Sequence, residues 1–328
     1  MTKPKLFAAG GAHIDRRGRV SGSYIPGASN PGIMREEVGG GVFNALRNAA
    51  SRGCVGALLS VRGGDMAGEA VANAIGEAGI ADLSATFLDR ATPSYTAFVE
   101  ANGDVVAGLA DMGLYDLAFA KQIRRRSVRN AAAEADAVLC DANLPEQALE
   151  KLAALASGKP LFAVAISPAK VIRLRPVLPR IACLFMNRRE AAALSGGNVD
   201  DDPAMTARAL SASGLPAGVI SAGRERVFGF DAGGVFEIEP PSPRRTADST
   251  GAGDALAGAT VAALMHGGRL REAMREGLAA AFLTIETDTV VADYDEAAFA
   301  EVLALVPEAQ DVGLAAPKPV TTPEQRME

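Results

Sequence analysis

Six short apolar runs, none of them alternating with polar residues, constrain this chain more than any other feature: Lys5–Gly11, Val55–Val61, Asp136–Cys140, Pro160–Ile166, Ile181–Met186 and Ala217–Ser221. A strand wetted on one face alternates, whereas a strand covered on both faces reads as a continuous apolar run. Between the runs, the spacing predicts helices over Val42–Ser51, Ala67–Ala78, Leu117–Ala133 and Pro145–Ala156. Strands and helices in alternation predict an α/β fold, a mostly parallel central sheet flanked by helices.

Two stretches break this rhythm. Gly18–Val38 is rich in Gly, Ser and Pro, and Tyr95–Met112 holds two short β-like runs around a turn at Asn102-Gly103. Together they predict a hairpin-based layer, contributed by about 16–38 and 92–113, that acts as a lid or decorates the surface. From Pro307 onward prolines recur without an apolar face, so residues 1–306 are expected to form the domain and 307–328 a disordered tail.

Charge and cysteine usage narrow the function. The 33 basic and 39 acidic residues give a net charge of -6 without a strong block of either sign, which predicts no nucleic-acid polymer and no membrane as partner. The densest basic run, Arg124–Arg129, reads as the solvated face of a helix. Cys54, Cys140 and Cys183 lie far apart in apolar surroundings, as buried thiols of a reducing compartment do. With only His13 and His266 present, neither a His/Cys metal site nor a His-based triad can be assembled readily. His13 reads as a strand-end polar residue and His266 as a cation at a helix C-terminus. The N-terminus carries no signal-like apolar stretch, and no window reaches the ~20 apolar residues of a membrane span, so a cytoplasmic protein is expected.

Chemistry concentrates in Ala247–Gly258, ADSTGAGDALAG, where glycines and two aspartates precede an apolar helical run. Leu256, Thr260, Val261 and Leu264 recur at helical intervals, so a helix is predicted to start near Gly251, capped by Ser249 or Thr250. The first turn of a helix has unpaired N–H groups and favours anions, and glycine lets a phosphate come close. Asp254 suits such a site if it accepts a proton from a hydroxyl attacking phosphorus; it equally suits a plain N-terminal cap. Gly63–Gly68 lacks the lysine of a P-loop, and the glycine run lies too late for a dinucleotide fingerprint.

Asp248–Asp254 (DSTGAGD) resembles the C-terminal signature of the ribokinase-like, or PfkB-type, carbohydrate kinases. Val38–Gly53 resembles that family's N-terminal Gly-Gly element followed by an Asn. Gly10–Asp15, Asn187–Gly196 with its N-x-x-E, and Val219–Gly223 match in the family's order, so the resemblance covers about residues 5 to 305. Within the family, Ala28–Gly32, Tyr95–Met112 and Asn187–Gly196 look most like pseudouridine kinases. The chain departs from that subgroup at Phe43, where a polar or basic residue is usual, and at His13, where Asn is common.

The resemblance implies a three-layer α/β/α fold with a small β-rich lid, ATP and Mg2+ as cofactors with a role for K+, and a homodimer. It implies transfer of a phosphoryl group from ATP to a primary hydroxyl of a sugar or nucleoside, in this subgroup the 5'-OH of pseudouridine. Other acceptors that fit are ribose, a ketohexose, an acid sugar or another nucleoside such as inosine; a non-catalytic nucleoside- or nucleotide-binding regulator is the reading of another class. Asp254 would be the base, with the amides of Gly251, Ala252 and Gly253 around the phosphoryl group. Asp15, Gly40 and Asn44, with Asn30 and Tyr95 from the lid, would hold the acceptor. Asn187, Ser221, Gly223, Gly251 and Gly253 would line the nucleotide site, and Gly277–Val290 its adenine side. Asn187 and Glu190 would meet Mg2+ through water; as a plain capping box they need no metal. Asp248 and the Thr250 carbonyl would sit at a monovalent cation.

Overall fold

The computed structural model of the chain describes residues 2–100, 105–247 and 249–313. In chain order its first strands are β1 (Lys5–Ala9), β2 (His13–Val20), β3 (Gly32–Gly39), β4 (Val55–Leu59), β5 (Val61–Gly63), β6 (Ala81–Asp82), β7 (Ala85–Phe87), β8 (Ser94–Val99) and β9 (Val105–Asp111). They are followed by β10 (Ala137–Asp141), β11 (Leu161–Val164), β12 (Cys183–Asn187), β13 (Gly218–Ser221), β14 (Val227–Asp231), β15 (Gly234–Ile238) and β16 (Gln310–Asp311). The helices are α1 (Gly41–Ser51), α2 (Met66–Glu77), α3 (Gly113–Gln122), α4 (Arg126–Glu134), α5 (Glu146–Leu155), α6 (Pro168–Val171), α7 (Arg188–Ser195), α8 (Pro203–Ala212), α9 (Ala252–Met265), α10 (Leu270–Ile285) and α11 (Glu296–Leu305).

Each of the six apolar runs holds all or most of a strand of one large sheet, ordered β16-β15-β14-β13-β12-β11-β10-β1-β4-β6, with β10 and β12 each extending one residue past their runs, to Asp141 and Asn187. From β13 to β6 the strands are parallel, and β14 to β16 turn back antiparallel at one edge. Successive side chains of β1 serve opposite cores: Leu6 and Ala8 face the α1, α9 and α10 layer, Phe7 and Ala9 the α3, α5 and α7 layer. This burial on both sides is the reason the runs do not alternate. The chain runs outward from β1 through β4 to β6, then resumes at β10 on the other side, so the strand order reverses between β1 and β10. Open α/β sheets bind ligands at the carboxyl ends of strands at such a point.

The lid is a second sheet, ordered β3-β2-β8-β9, drawn from the two segments that broke the sequence rhythm. The expected turn at Asn102-Gly103 lies outside the described residues. β5 and β7 form a two-stranded ladder.

Several expectations are corrected. Leu117–Ala133 is two helices, α3 and α4, with a break over residues 123–125. Ile123 and Val128 are both buried, yet five positions on one helix would set them ~140° apart, so the chain turns between them. The arginines of 124–129 are nonetheless exposed or half-buried at the start of α4. The cap of α9 is Gly251, at φ 81° and without a capping side chain, in place of Ser249 or Thr250. A Cβ there would fall 2.1 Å from the Val290 carbonyl oxygen, so only glycine closes this turn. The expected tail begins in order: Gln310–Asp311 pair with β15, and Arg271 Nη2 binds Asp311 Oδ1 at 2.6 Å. Its remainder, 314–328, lies outside the described residues.

All three cysteines are buried and free. His266 is the C-cap of α9, its Nδ1 2.7 Å from the Ala262 carbonyl oxygen. Among the described residues no helix is long and apolar enough to cross a membrane.

Candidate active site

A cavity of about 490 Å3 opens where the strand order reverses. Its floor is the carboxyl end of the sheet: Asn143 after β10, Ile166, Ser167 and Lys170 after β11, Asn187 closing β12 and Ser221 closing β13. The lid supplies His13, Asp15, Tyr95, Ala110 and Met112, and the N-terminal turns of α1 and α9 supply Gly40, Gly41, Asn44, Thr250, Gly253 and Asp254.

Two helix starts meet across the cavity wall. Asn44 Nδ2 of α1 donates to Asp254 Oδ2 of α9 at 2.8 Å. Burial pushes the Asp254 carboxyl up to about 7; the Asn44 bond pulls it down, Asp15 and Asp141 add to the rise, and the Arg47 guanidinium opposes it. A carboxyl group poised near neutrality beside unpaired first-turn amides can take a proton while the helix end receives negative charge. Gly253 and Thr250 line the cavity, whereas Gly251 and Ala252 do not, and the Ala252 amide turns toward the Ser249 carbonyl oxygen at 3.4 Å.

Asp15, on β2, faces His13 Nε2 at 3.2 Å. A Cβ on Gly39 would fall 2.1 Å from Asp15 Oδ2, so a side chain there would push that carboxylate from its place beside the cavity. Gly40, at φ 118°, begins α1 and seats Asn44, whose backbone amide donates to the Gly40 carbonyl oxygen at 2.8 Å. Tyr95 lies opposite on β8. From the lid, Arg17 reaches across to the Thr250 hydroxyl.

Asn30 is not brought to the cavity. Its amide closes its own loop, accepting from the Ile25 N–H at 2.8 Å and donating to the Ile25 and Ala28 carbonyl oxygens. Gly223, at φ 64°, turns the chain after β13 without lining the cavity. The helix expected at the adenine side, α10, packs on α9, with Gly277 where a Cβ would strike Thr260 Oγ1 at 2.1 Å. Asp248 lies outside the described residues.

Asn187 and Glu190 do form a reciprocal cap: Asn187 Oδ1 accepts from the Glu190 N–H at 3.0 Å, and Glu190 Oε2 from the Asn187 N–H at 2.7 Å. Both also line the cavity, and burial raises the Glu190 carboxyl above its ordinary range. Among the described residues no three His, Cys, Asp or Glu side chains gather as a direct cation cage.

Sequence reasoning passed over a second acidic centre. Asp141, fully buried at the end of β10, accepts from the N–H groups of Gly11 at 2.9 Å, Val42 at 3.3 Å and Asn143 at 3.0 Å. Asn143 Oδ1 in turn accepts from Lys170 Nζ at 2.6 Å, and burial lowers the Lys170 pKa. The signal was available: both residues follow carboxyl ends of strands beside the reversal. Ile166, at φ 72°, is the one non-glycine with positive φ among the described residues; such strain in a β-branched residue marks functional sites. Its Cδ1 would meet a Cβ on Gly41 at 2.3 Å.

Comparisons with known proteins agree on what this arrangement belongs to. The family described as pfkB family carbohydrate kinase matches residues 3–296. The chain is 27% identical over 276 residues to the pseudouridine kinase of Escherichia coli (strain K12), covering 83% of this chain and 88% of that one. A solved carbohydrate kinase from Agrobacterium tumefaciens is 44% identical, with a TM-score of 0.81 over 94% of this chain and 99% of its own. The Arabidopsis thaliana ribokinase complexed with ribose and ATP shares the fold at 19% identity, with a TM-score of 0.79 over 92% of this chain and 99% of that one.

Proposed function

Since this chain belongs to the pfkB family of carbohydrate kinases and is an ATP-dependent kinase of a sugar or nucleoside, we propose that its acceptor is pseudouridine, phosphorylated on the 5'-hydroxyl. The observation that carries the reaction is the Asp254 carboxyl in the cavity wall, on the first turn of α9 and 2.8 Å from Asn44 Nδ2. The 5'-oxygen attacks the γ-phosphorus of ATP, the bond to ADP breaks, and the hydroxyl proton passes to Asp254. Transfer of this kind needs placement and charge neutralisation more than covalent help, so few residues do chemistry. Asp15 accepts from vicinal ribose hydroxyls, and Tyr95 and Gly40 close the pocket over the sugar. Lys170, Ser167 and the Asn143 amide give the acceptor end donors suited to the carbonyl oxygens of a uracil ring. The likeness to a pseudouridine kinase over most of the chain supports the same choice.

ATP brings Mg2+ with it. The absence of a direct acidic cage among the described residues fits an ion held by phosphate oxygens and water, with Asn187 and Glu190 reached through that water. A monovalent cation near Thr250 is the further ion we propose. The exposed Ile33 and Met34 of edge strand β3 and Leu109 of edge strand β9 support pairing with a second copy, readable by light scattering. The buried free thiols support a reducing cytoplasm.

The test is ADP release over pseudouridine, uridine, cytidine, inosine, ribose and a ketohexose. Pseudouridine is expected to give the highest kcat/KM; a higher value for uridine or a free sugar overturns the acceptor. Asp254→Asn is expected to lower kcat by ~10²–10⁴ with melting intact, and a loss smaller than about tenfold removes the base.

A further inference from the structure

We propose that Arg47 is a positioning residue of the transfer site: by gripping the side-chain oxygen of Asn44 it turns that side chain's NH2 group onto one oxygen of Asp254 and leaves the other for the acceptor hydroxyl. This rests on the reading of Asp254 as base.

Asn44 and Arg47 stand three apart on α1 and share a face. Arg47 Nη2 donates to Asn44 Oδ1 at 2.5 Å and to the Val38 carbonyl oxygen, at the root of lid strand β3, at 3.3 Å. A guanidinium only donates, so it can meet only the oxygen end of an amide. The nitrogen end must then point away, and there Nδ2 meets Asp254 Oδ2 at 2.8 Å. With no grip on Oδ1 the amide can turn over whenever Asp254 is protonated, its oxygen then accepting from the carboxyl O–H and favouring the form that holds the proton.

Packing alone does not account for an arginine here. Its guanidinium lies 4.5 Å from the centre of the Phe43 ring, a place an uncharged chain such as Met fills as well. Instead the site keeps a charge whose Nε is buried without a hydrogen-bond partner. Burial pulls the Arg47 pKa down to about 10, against the opposing pull of Asp254 on α9, Glu37 on β3 and Asp15 on β2, so it stays charged at neutral pH. Asp254 in turn faces Arg47 and Asn44 on α1, Asp15 on β2 and Asp141 at the end of β10. Two effects of removing Arg47 therefore share a sign. Asp254 loses its one opposing positive charge among these neighbours, and the amide that holds its ionised form loses its orientation.

The experiment measures kcat/KM for the acceptor against pH in the full-length enzyme, its Arg47→Met and Arg47→Lys variants, and Asp254→Asn alongside. In Arg47→Met the acid limb is expected to move up by about half a pH unit or more and the plateau kcat to fall about tenfold, with the KM for ATP within about twofold. Arg47→Lys, which keeps a charge and a donor, returns the limb toward its original place. Where Arg47→Met does not melt cooperatively, Arg47→Gln takes its part, with the same expected shift. A folded neutral variant whose limb and kcat stay put overturns the proposal, since a residue that only packs would lower the melting temperature and nothing else. If Asp254→Asn abolishes activity while the neutral variants behave normally, this inference alone fails; if Asp254→Asn stays active, the reading beneath it fails first.

Discussion

Asp254 is the residue on which the fold and the reaction pull in opposite directions. In the native chain it holds its proton until about pH 7, against an ordinary value of 3.8. Between those values the folded state binds more protons than the unfolded one, so stability falls as pH rises through that window and stays lower above it. As the proposed base, Asp254 is needed in the ionised form, so activity is expected to rise over the same interval. We expect Asp254→Asn to melt at a higher temperature than the parent at pH 8 and close to it at pH 4, measured by thermal scans at both. An equal gap at the two values would show that the carboxyl is not strained by its burial. Asp254 stood out in the sequence because the glycines beside it mark backbone left bare at a helix start, where an anion can approach, and Asn44 entered through the family resemblance alone. Arg47 and Lys170 did not stand out, because an arginine in mid-helix and a lysine after a proline look like any solvated charge until their neighbours are known.

The helices α1, α9 and α10 carry the site on a seam of small residues. A Cβ on Gly258 would lie 2.1 Å from the Ala45 carbonyl oxygen, one residue from Asn44, and a Cβ on Gly277 2.6 Å from the Leu256 carbonyl oxygen. The α1–α9 seam is crossed by the Asn44–Asp254 bond. Gly258→Ala is therefore expected to force the two helices apart, lowering stability by ~1–3 kcal/mol and kcat with it. Urea melts and the ADP assay check the two effects, and a stable, fully active variant would mean the seam is looser than drawn. Six parallel strands of the central sheet, β1, β4, β10, β11, β12 and β13, were legible because burial on both faces confines their polar residues to the strand ends, whereas β6 and the antiparallel edge β14 to β16 were not. The break between α3 and α4 was not, since it depends on Ile123 and Val128 reaching the same core from opposite sides of a helix. Nor was the role of α10: a run of Ala, Leu and Phe reads the same against a neighbouring helix as against an adenine ring.

At the scale of the molecule, the central sheet bears the floor of the cavity and a four-stranded lid its roof, the chain passing between lid and body at Gly10–Ala12, at Gly40, around Pro93 and at Met112. Acceptor and nucleotide bound together are expected to slow hydrogen exchange in β2, β3, β8 and β9 while leaving β10, β11 and β12 unchanged. Uniform slowing across both sheets would argue against a roof that closes on its own. The lid was legible as a layer, from its glycines, prolines and short β-like runs, but its pairing was not. β2 lies parallel to β8, with Ile14 opposite Ser94, and no local turn joins them. That pairing sets an order of assembly. As the chain leaves the ribosome, β2 waits some eighty residues for its partner β8, and β1 longer still for β10, with Leu6 opposite Ala137. The site for the alcohol thus stays half-roofed until β8 has emerged and lacks Asp254 until α9 follows, so a nascent chain halted before β8 holds only two of the four lid strands.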